Sequence, residues 1–150
     1  MKTEEYSQLK EFTYLAIYVQ HGVKMPPKSI VELPELKVYY QDFGTRVGDI
    51  CIVSETDNKI VGAEWTRIVN DFAHIDDDTP SLAIAVAKES RGKGIGTRLL
   101  NEMLTVLKVE GFLSVSLSVQ KENYAVKMYE KAGFEVVKDN GEEFVMRKSL

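Results

Sequence analysis

Three glycines alternate with other residues in Arg91-Gly92-Lys93-Gly94-Ile95-Gly96-Thr97, between the apolar run Ser81–Ala87 and the amphipathic stretch Thr97–Glu110. A strand that passes through a tight turn into a helix confines the chain to folds with a strand-helix-strand crossover. The turn itself carries chemistry. Glycines lack Cβ atoms, so several backbone N–H groups can approach a bulky anion closely. The helix start adds unpaired N–H groups and a partial positive charge that suits phosphate. Arg91, Lys93 and Arg98 bring formal charge of the same sign, and a diphosphate is the natural guest. A dinucleotide fingerprint would need glycine where Thr97 or Leu99 stands, and the Gly-Lys-Ser/Thr ending of a P-loop is absent. The alternative is a turn that only joins strand to helix.

The rest of the chain falls into order around this unit. Leu9, Phe12, Leu15, Ala16 and Val19 follow helical spacing and predict a helix from about Glu4 to Gln20. A shorter helix is expected from Leu36 to Tyr40, after Pro34. Val47–Ser54 and Lys59–Val69 read as a hairpin around Asp57-Asn58, and Ser81–Ala87, apolar on both faces, as a central strand. In Thr97–Glu110, Leu99, Leu100, Met103, Leu104 and Leu107 form one stripe, with Gly111 at the C-terminal cap. Leu113–Val119 reads as a strand and Asn123–Ala132 as a helix. Phe134–Val137 and Phe144–Lys148 read as a hairpin around Asn140-Gly141. The expected fold is α/β (α+β) in a single domain, residues 1–150: helices first, then antiparallel strands, then strand-helix-strand-helix.

Composition narrows the function classes. A formal net charge of -4 gives no basic surplus for nucleic acid. The one cysteine, Cys51, excludes an internal disulfide and reads as a small buried hydrophobe. His21 and His74 lack ligand spacing, so no metal is expected. No run approaches the roughly 18 apolar residues of a membrane span, and Glu4, Glu5 and Glu11 precede the apolar Phe12–Val19 without a basic leader. A cytoplasmic protein that does not bind membranes is the expectation.

Two motifs carry a resemblance. Val86–Gly96 resembles the central Arg/Gln-x-x-Gly-x-Gly/Ala motif of the GNAT acetyltransferase superfamily, with Arg91, Gly94 and Gly96 at its fixed positions. Leu117-Ser118-Val119, Asn123, Ala125, Tyr129 and Gly133-Phe134 resemble its second signature, a strand and an Asn-x-x-Ala-x-x-x-Tyr helix ended by Gly-Phe. The resemblance covers roughly residues 47–150. It implies a mixed, mostly antiparallel sheet flanked by helices, whose splayed parallel strand pair forms a cleft for acetyl-coenzyme A. It also implies that Arg91, Gly92, Lys93, Gly94, Ile95, Gly96 and Thr97 hold the pyrophosphate. The pantetheine arm would hydrogen-bond along Ile84, Ala85 and Val86, and Asn123 would bind or brace it. A homodimer is the family expectation. Members usually begin with a short strand, which this chain lacks; another segment or a second chain would then cover the sheet edge.

The implied chemistry is attack of an amine on a thioester, with the acceptor a small molecule or a peptide. Tyr129 would protonate the leaving thiolate, since a phenol near pKa 10 lies above a thiol near 8.5; alternatively it is only a core aromatic. A backbone N–H near Val86 would serve the developing oxyanion. Ser81–Ala87 holds no carboxylate, so Glu64, within the apolar Gly62–Thr66 segment, is the candidate base. Asp76, Asp77 and Asp78 are another carboxylate source that would attract a cationic amine, and a water chain is a third route. Tyr39, Trp65 and Phe72 can line an acceptor pocket or fill the core. A non-catalytic acyl-coenzyme A binding module remains the alternative to an enzyme.

Overall fold

Turn residues set the hairpins. A computed structural model describes residues 1–150. In it Asp57 and Asn58 take φ of 51° and 61°, the left-handed values that a two-residue hairpin turn demands. They join β1 (Ile50–Thr56) to β2 (Lys59–Arg67). The last hairpin, β5 (Glu135–Asp139) and β6 (Glu143–Ser149), turns through Asn140 and Gly141, whose φ is 94°. With β3 (Ser81–Val86) and β4 (Ser114–Gln120) they make one sheet in the order β1-β2-β3-β4-β6-β5. Every pairing is antiparallel except β3 with β4, which meet at Ser81 and Ser116 and then part. This is the expected mixed sheet with a splayed parallel pair.

One helix face covers each side of the sheet. In α3 (Ile95–Val109) the apolar stripe buries Leu100, Met103 and Leu107 completely, against Leu82, Val115, Leu117 and Met146. Each such side chain contributes about 1.5–3 kcal/mol. Across the sheet, Leu9 and Phe12 of α1 (Leu9–Leu15) pack on Ala63, Trp65 and Ala85. The short helices α2 (Pro34–Lys37) and α4 (Ala125–Lys131) complete the layers.

Several boundaries differ from expectation. The first helix does not reach Gln20: Thr3–Gln8 is 3-10, α1 ends at Leu15, and Ile17, Tyr18 and Val19 leave the helix to wall a cleft. Helical spacing in the sequence could not distinguish burial by a helix from burial by a cleft wall. The second helix starts two residues before the expected Leu36 and ends at Lys37, three residues before the expected Tyr40, because Pro34 starts it at once. Val47 is exposed and outside the strand, because Asp49 gathers the N–H groups of Gly44, Thr45 and Arg46 into a turn. α3 begins at Ile95, two residues early, since Gly94 at φ 77° is its N-cap. No strand precedes α1 in the sheet. At the β1 edge the Met1 nitrogen donates to the Cys51 carbonyl at 2.9 Å.

Candidate active site

Where β3 and β4 separate, a cleft of about 890 Å³ opens between the glycine loop, α4 and the segment that follows α1. Its floor at one end is backbone. Gly92 and Gly94 take φ of 75° and 77°, and a Cβ at either would meet no heavy atom within 4 Å. The left-handed backbone favours glycine there. The open space lets a bulky group lie against the amides. The first bond to close α3 runs from the Arg98 N–H to the Gly94 carbonyl at 3.1 Å, so the amides of the preceding turn have no intrahelical acceptor. Lys88 and Arg91 line this end and make it cationic. The loop as built fits the diphosphate of coenzyme A.

The next stretch of wall is β3. The Ala87 N–H donates to the Val61 carbonyl at 2.7 Å. Alternation along a strand then turns the backbone of Ala85 towards β2 and that of Ile84 and Val86 towards the gap. The Val86 carbonyl does face that way, since it accepts from Arg91 Nε at 3.0 Å. Ile84 and Val86 therefore offer main-chain groups to a ligand, whereas Ala85 contributes only its small side chain to the wall.

Ile84, Ala85, Val86, Arg91, Gly92 and Gly94 line the cleft, as do Ile95, Gly96, Thr97, Asn123 and Tyr129. Lys93 and Glu64 do not. Asn123 Oδ1 accepts the Ala125 N–H at 2.9 Å and so starts α4, leaving its NH₂ for a ligand. Tyr129 is 6% exposed, edge-on to Phe134 with ring centroids 5.7 Å apart. Burial raises its phenol well above the ordinary tyrosine value, so it keeps its proton at all ordinary pH.

Glu64 is wholly buried, on the sheet face shared by its cross-strand neighbours Ile52 and Ile84. Its two carboxyl oxygens are the buried side-chain atoms left without a hydrogen-bond partner. Burial raises its pKa well above the usual carboxylate range. Against the expectation that Glu64 meets the acceptor amine, its side chain is fully buried and does not line the cleft. Burial also pushes the Cys51 thiol up to about 12, and Cys51 is not on the wall either.

Aromatic side chains also line the cleft: Tyr14, Tyr18, Tyr39, Trp65 and Phe72. The polar tips of four of these are engaged elsewhere. Tyr14 and Tyr18 donate to the carbonyls of Pro26 and Glu122, Tyr39 donates to Asp71 Oδ2 at 2.8 Å, and Trp65 Nε1 donates to the Tyr39 carbonyl. Asp71 also accepts from the Ser81 hydroxyl and the Ala73 N–H. Asp76, Asp77 and Asp78 lie off the wall, so the acidic loop does not supply the cleft with charge. Its one carboxylate is Glu143, at the start of β6 opposite Gln120. No sequence signal marks Glu143, since pairing between β4 and β6 brings it there. The same holds for Tyr14, Tyr18 and Leu36.

The GNAT acetyltransferase family model matches residues 17–134, which include β3, the glycine loop and Tyr129. The chain belongs to the GNAT acetyltransferase family. The co-substrate of that family is acetyl-coenzyme A. Among relatives, the chain is 35% identical over 117 residues to an N-alpha-acetyltransferase of Saccharolobus solfataricus, covering 71% of this chain and 70% of that one. It is 28% identical over 126 residues to mycothiol acetyltransferase of Renibacterium salmoninarum, covering 83% of this chain. The chain spans only 37% of that protein's length, and about as little of others like it. The fold matches the PaiA N-acetyltransferase of Thermoplasma acidophilum, solved in complex with coenzyme A. That match has a TM-score of 0.70 and 21% identity over 100% of this chain and 96% of the other. No helix of the chain is long and apolar enough to cross a membrane.

Proposed function

We propose that this chain transfers an acetyl group from acetyl-coenzyme A directly to a primary amine. The observation that carries the reading is one continuous cleft joining the open glycine loop to a protonated phenol, Tyr129. Acetyl-coenzyme A bound there supplies a thioester whose carbonyl carbon the amine attacks. The loop amides from Gly92 to Thr97, with Lys88 and Arg91, hold the diphosphate. Ile84 and Val86 hold the pantetheine through their backbone, and the Asn123 amide braces it. An N–H at the Val86 end of β3 faces the carbonyl oxygen as negative charge develops on it. Tyr129 gives its proton to the departing sulfur. Direct transfer is supported by the absence of cysteine from the wall, and the N-alpha-acetyltransferase relative supports an amine acceptor. No histidine lines the cleft, so the amine enters in its neutral form.

The test is thiol release from acetyl-coenzyme A across a panel of amines. Tyr129→Phe lowers acceptor-dependent release at least tenfold while coenzyme binding persists. The wild-type kcat/KM rises with pH towards the amine pKa and shows no fall at pH 10, where an ordinary tyrosine would titrate. Tight coenzyme binding with no release for any amine would instead mark a binding module.

A further inference from the structure

We infer that Tyr18 latches a strap, residues 17–25, across the gap between β3 and β4, and that this latch opens each time coenzyme enters or leaves. The inference rests on the acetyltransferase reading, which lays the pantetheine in that gap. β3 and β4 pair only at Ser81 and Ser116, so the gap is closed there and open towards Val86 and Gln120, the strand ends. The strap follows α1, which is fixed on the β3 side, where Leu9 and Phe12 pack on Ala63, Trp65 and Ala85. Glu122 stands on the other side, just beyond the end of β4 at Gln120. The Tyr18 hydroxyl donates to the Glu122 carbonyl at 3.2 Å, joining residues 104 positions apart. That bond ties the β3 side to the β4 side at the open end.

The bond has the properties of a latch. It is single: the other hydrogen bonds of residues 17–25 are local, from the Ile17 N–H to the Tyr14 carbonyl and from the Val23 N–H to the Gln20 carbonyl. It is exposed, and a neutral hydroxyl–carbonyl bond that water can replace contributes little net stability. The base of the strap is held more firmly. There the Tyr14 hydroxyl donates to the Pro26 carbonyl at 2.6 Å, half-buried, and Pro27 fixes the backbone that follows. Between latch and base, Gly22 turns at φ 82°, and a Cβ there would meet no heavy atom within 4 Å. Ile17, Val19, Val23 and Met25 of the strap line the cleft. A latch that is shut in both the empty and the loaded protein obstructs passage without favouring either state. Its loss therefore speeds entry and exit together and leaves affinity unchanged. A side chain that only touched the coenzyme would alter exit alone.

The experiment measures association and dissociation of coenzyme A on the immobilised protein by surface plasmon resonance. Tyr18→Phe removes the hydroxyl and keeps the ring. Both rates rise at least threefold, while Kd stays within twofold of wild type and the melting temperature is unchanged. A second variant works in the opposite sense. Cys51, the one cysteine of the chain, is replaced by Cys51→Ser, and Tyr18→Cys with Glu122→Cys supplies a pair that a short bis-maleimide joins. Joining slows both rates at least tenfold against the same protein before joining. Tyr18→Phe with unchanged rates, or with faster dissociation alone, overturns the latch, as do rates that joining leaves unchanged; each result leaves acetyl transfer standing. Failure of the wild type to bind coenzyme A overturns the acetyltransferase reading and the latch with it.

Discussion

Glu64 offers a test of how burial controls ionisation in this sheet. It is 0% exposed, both oxygens lack partners, and burial holds its pKa well above the unfolded value. The folded protein therefore keeps the proton while the unfolded chain loses it above about pH 4.3. The sign follows: stability is greatest below the unfolded pKa and falls as pH rises towards the folded one. Each pH unit in that window removes about 1.4 kcal/mol. Glu64→Met keeps an unbranched chain of similar length and removes both orphaned oxygens, each set of which costs about 1–3 kcal/mol. The variant is thus more stable than wild type at pH 4 by about 1–3 kcal/mol, and the difference widens as pH rises. Urea unfolding at half-unit pH steps from 4 to 8 reads the two curves. Parallel curves would refute the reasoning, since they would mean that Glu64 has the same ionisation folded and unfolded. The same variant bears on chemistry: with the carboxyl buried and off the cleft wall, thiol release with a good amine stays within threefold of wild type.

Two further predictions concern parts of the fold that position the site. Arg67 is 1% exposed, its Nε and Nη2 both 2.8 Å from the Asp49 carboxylate, and it donates to the carbonyls of Val38 and Asp42. Arg67→Ala strands that carboxylate and costs about 3–5 kcal/mol in chemical denaturation. Burial works to raise the Asp49 carboxyl, but Arg67 and the loop N–H groups outweigh it and hold it low. Its stabilisation is therefore present above the unfolded carboxylate pKa and is lost as acid titration passes the lower folded value. Gly94→Ala meets no steric obstacle but must hold φ at 77°. We expect a loss of about 1–2 kcal/mol in thermal unfolding, and a weakening of coenzyme A binding by at least tenfold in calorimetry. An unaltered coenzyme affinity would remove the loop from the binding site.

How much could be read in the chain depended on the range of the cause. Asp57-Asn58, Asn140-Gly141 and the leucine stripe of α3 were legible because a turn or an amphipathic helix is decided within a few residues. The family motif placed Tyr129 and the glycines against one cleft for the same reason, as strand, turn and helix follow without interruption. The end of α1 was not legible. Ile17, Tyr18 and Val19 continue an apolar pattern, and only the opening between β3 and β4 makes them a wall instead of a helix face.

The sequence by itself determined the strand-turn-helix unit, the glycine loop, the parallel crossover and the family. These rest on local backbone geometry and on residues close in the chain. Only the tertiary structure decided the rest of the cleft wall. It withdrew Glu64 into the sheet, left Asp76–Asp78 outside, and brought Glu143 onto the same wall as Tyr14, Tyr18 and Leu36, more than a hundred positions away. The physical reason is that strand pairing and the face a side chain takes in the sheet are set by the whole fold, and a shift of one residue reverses them.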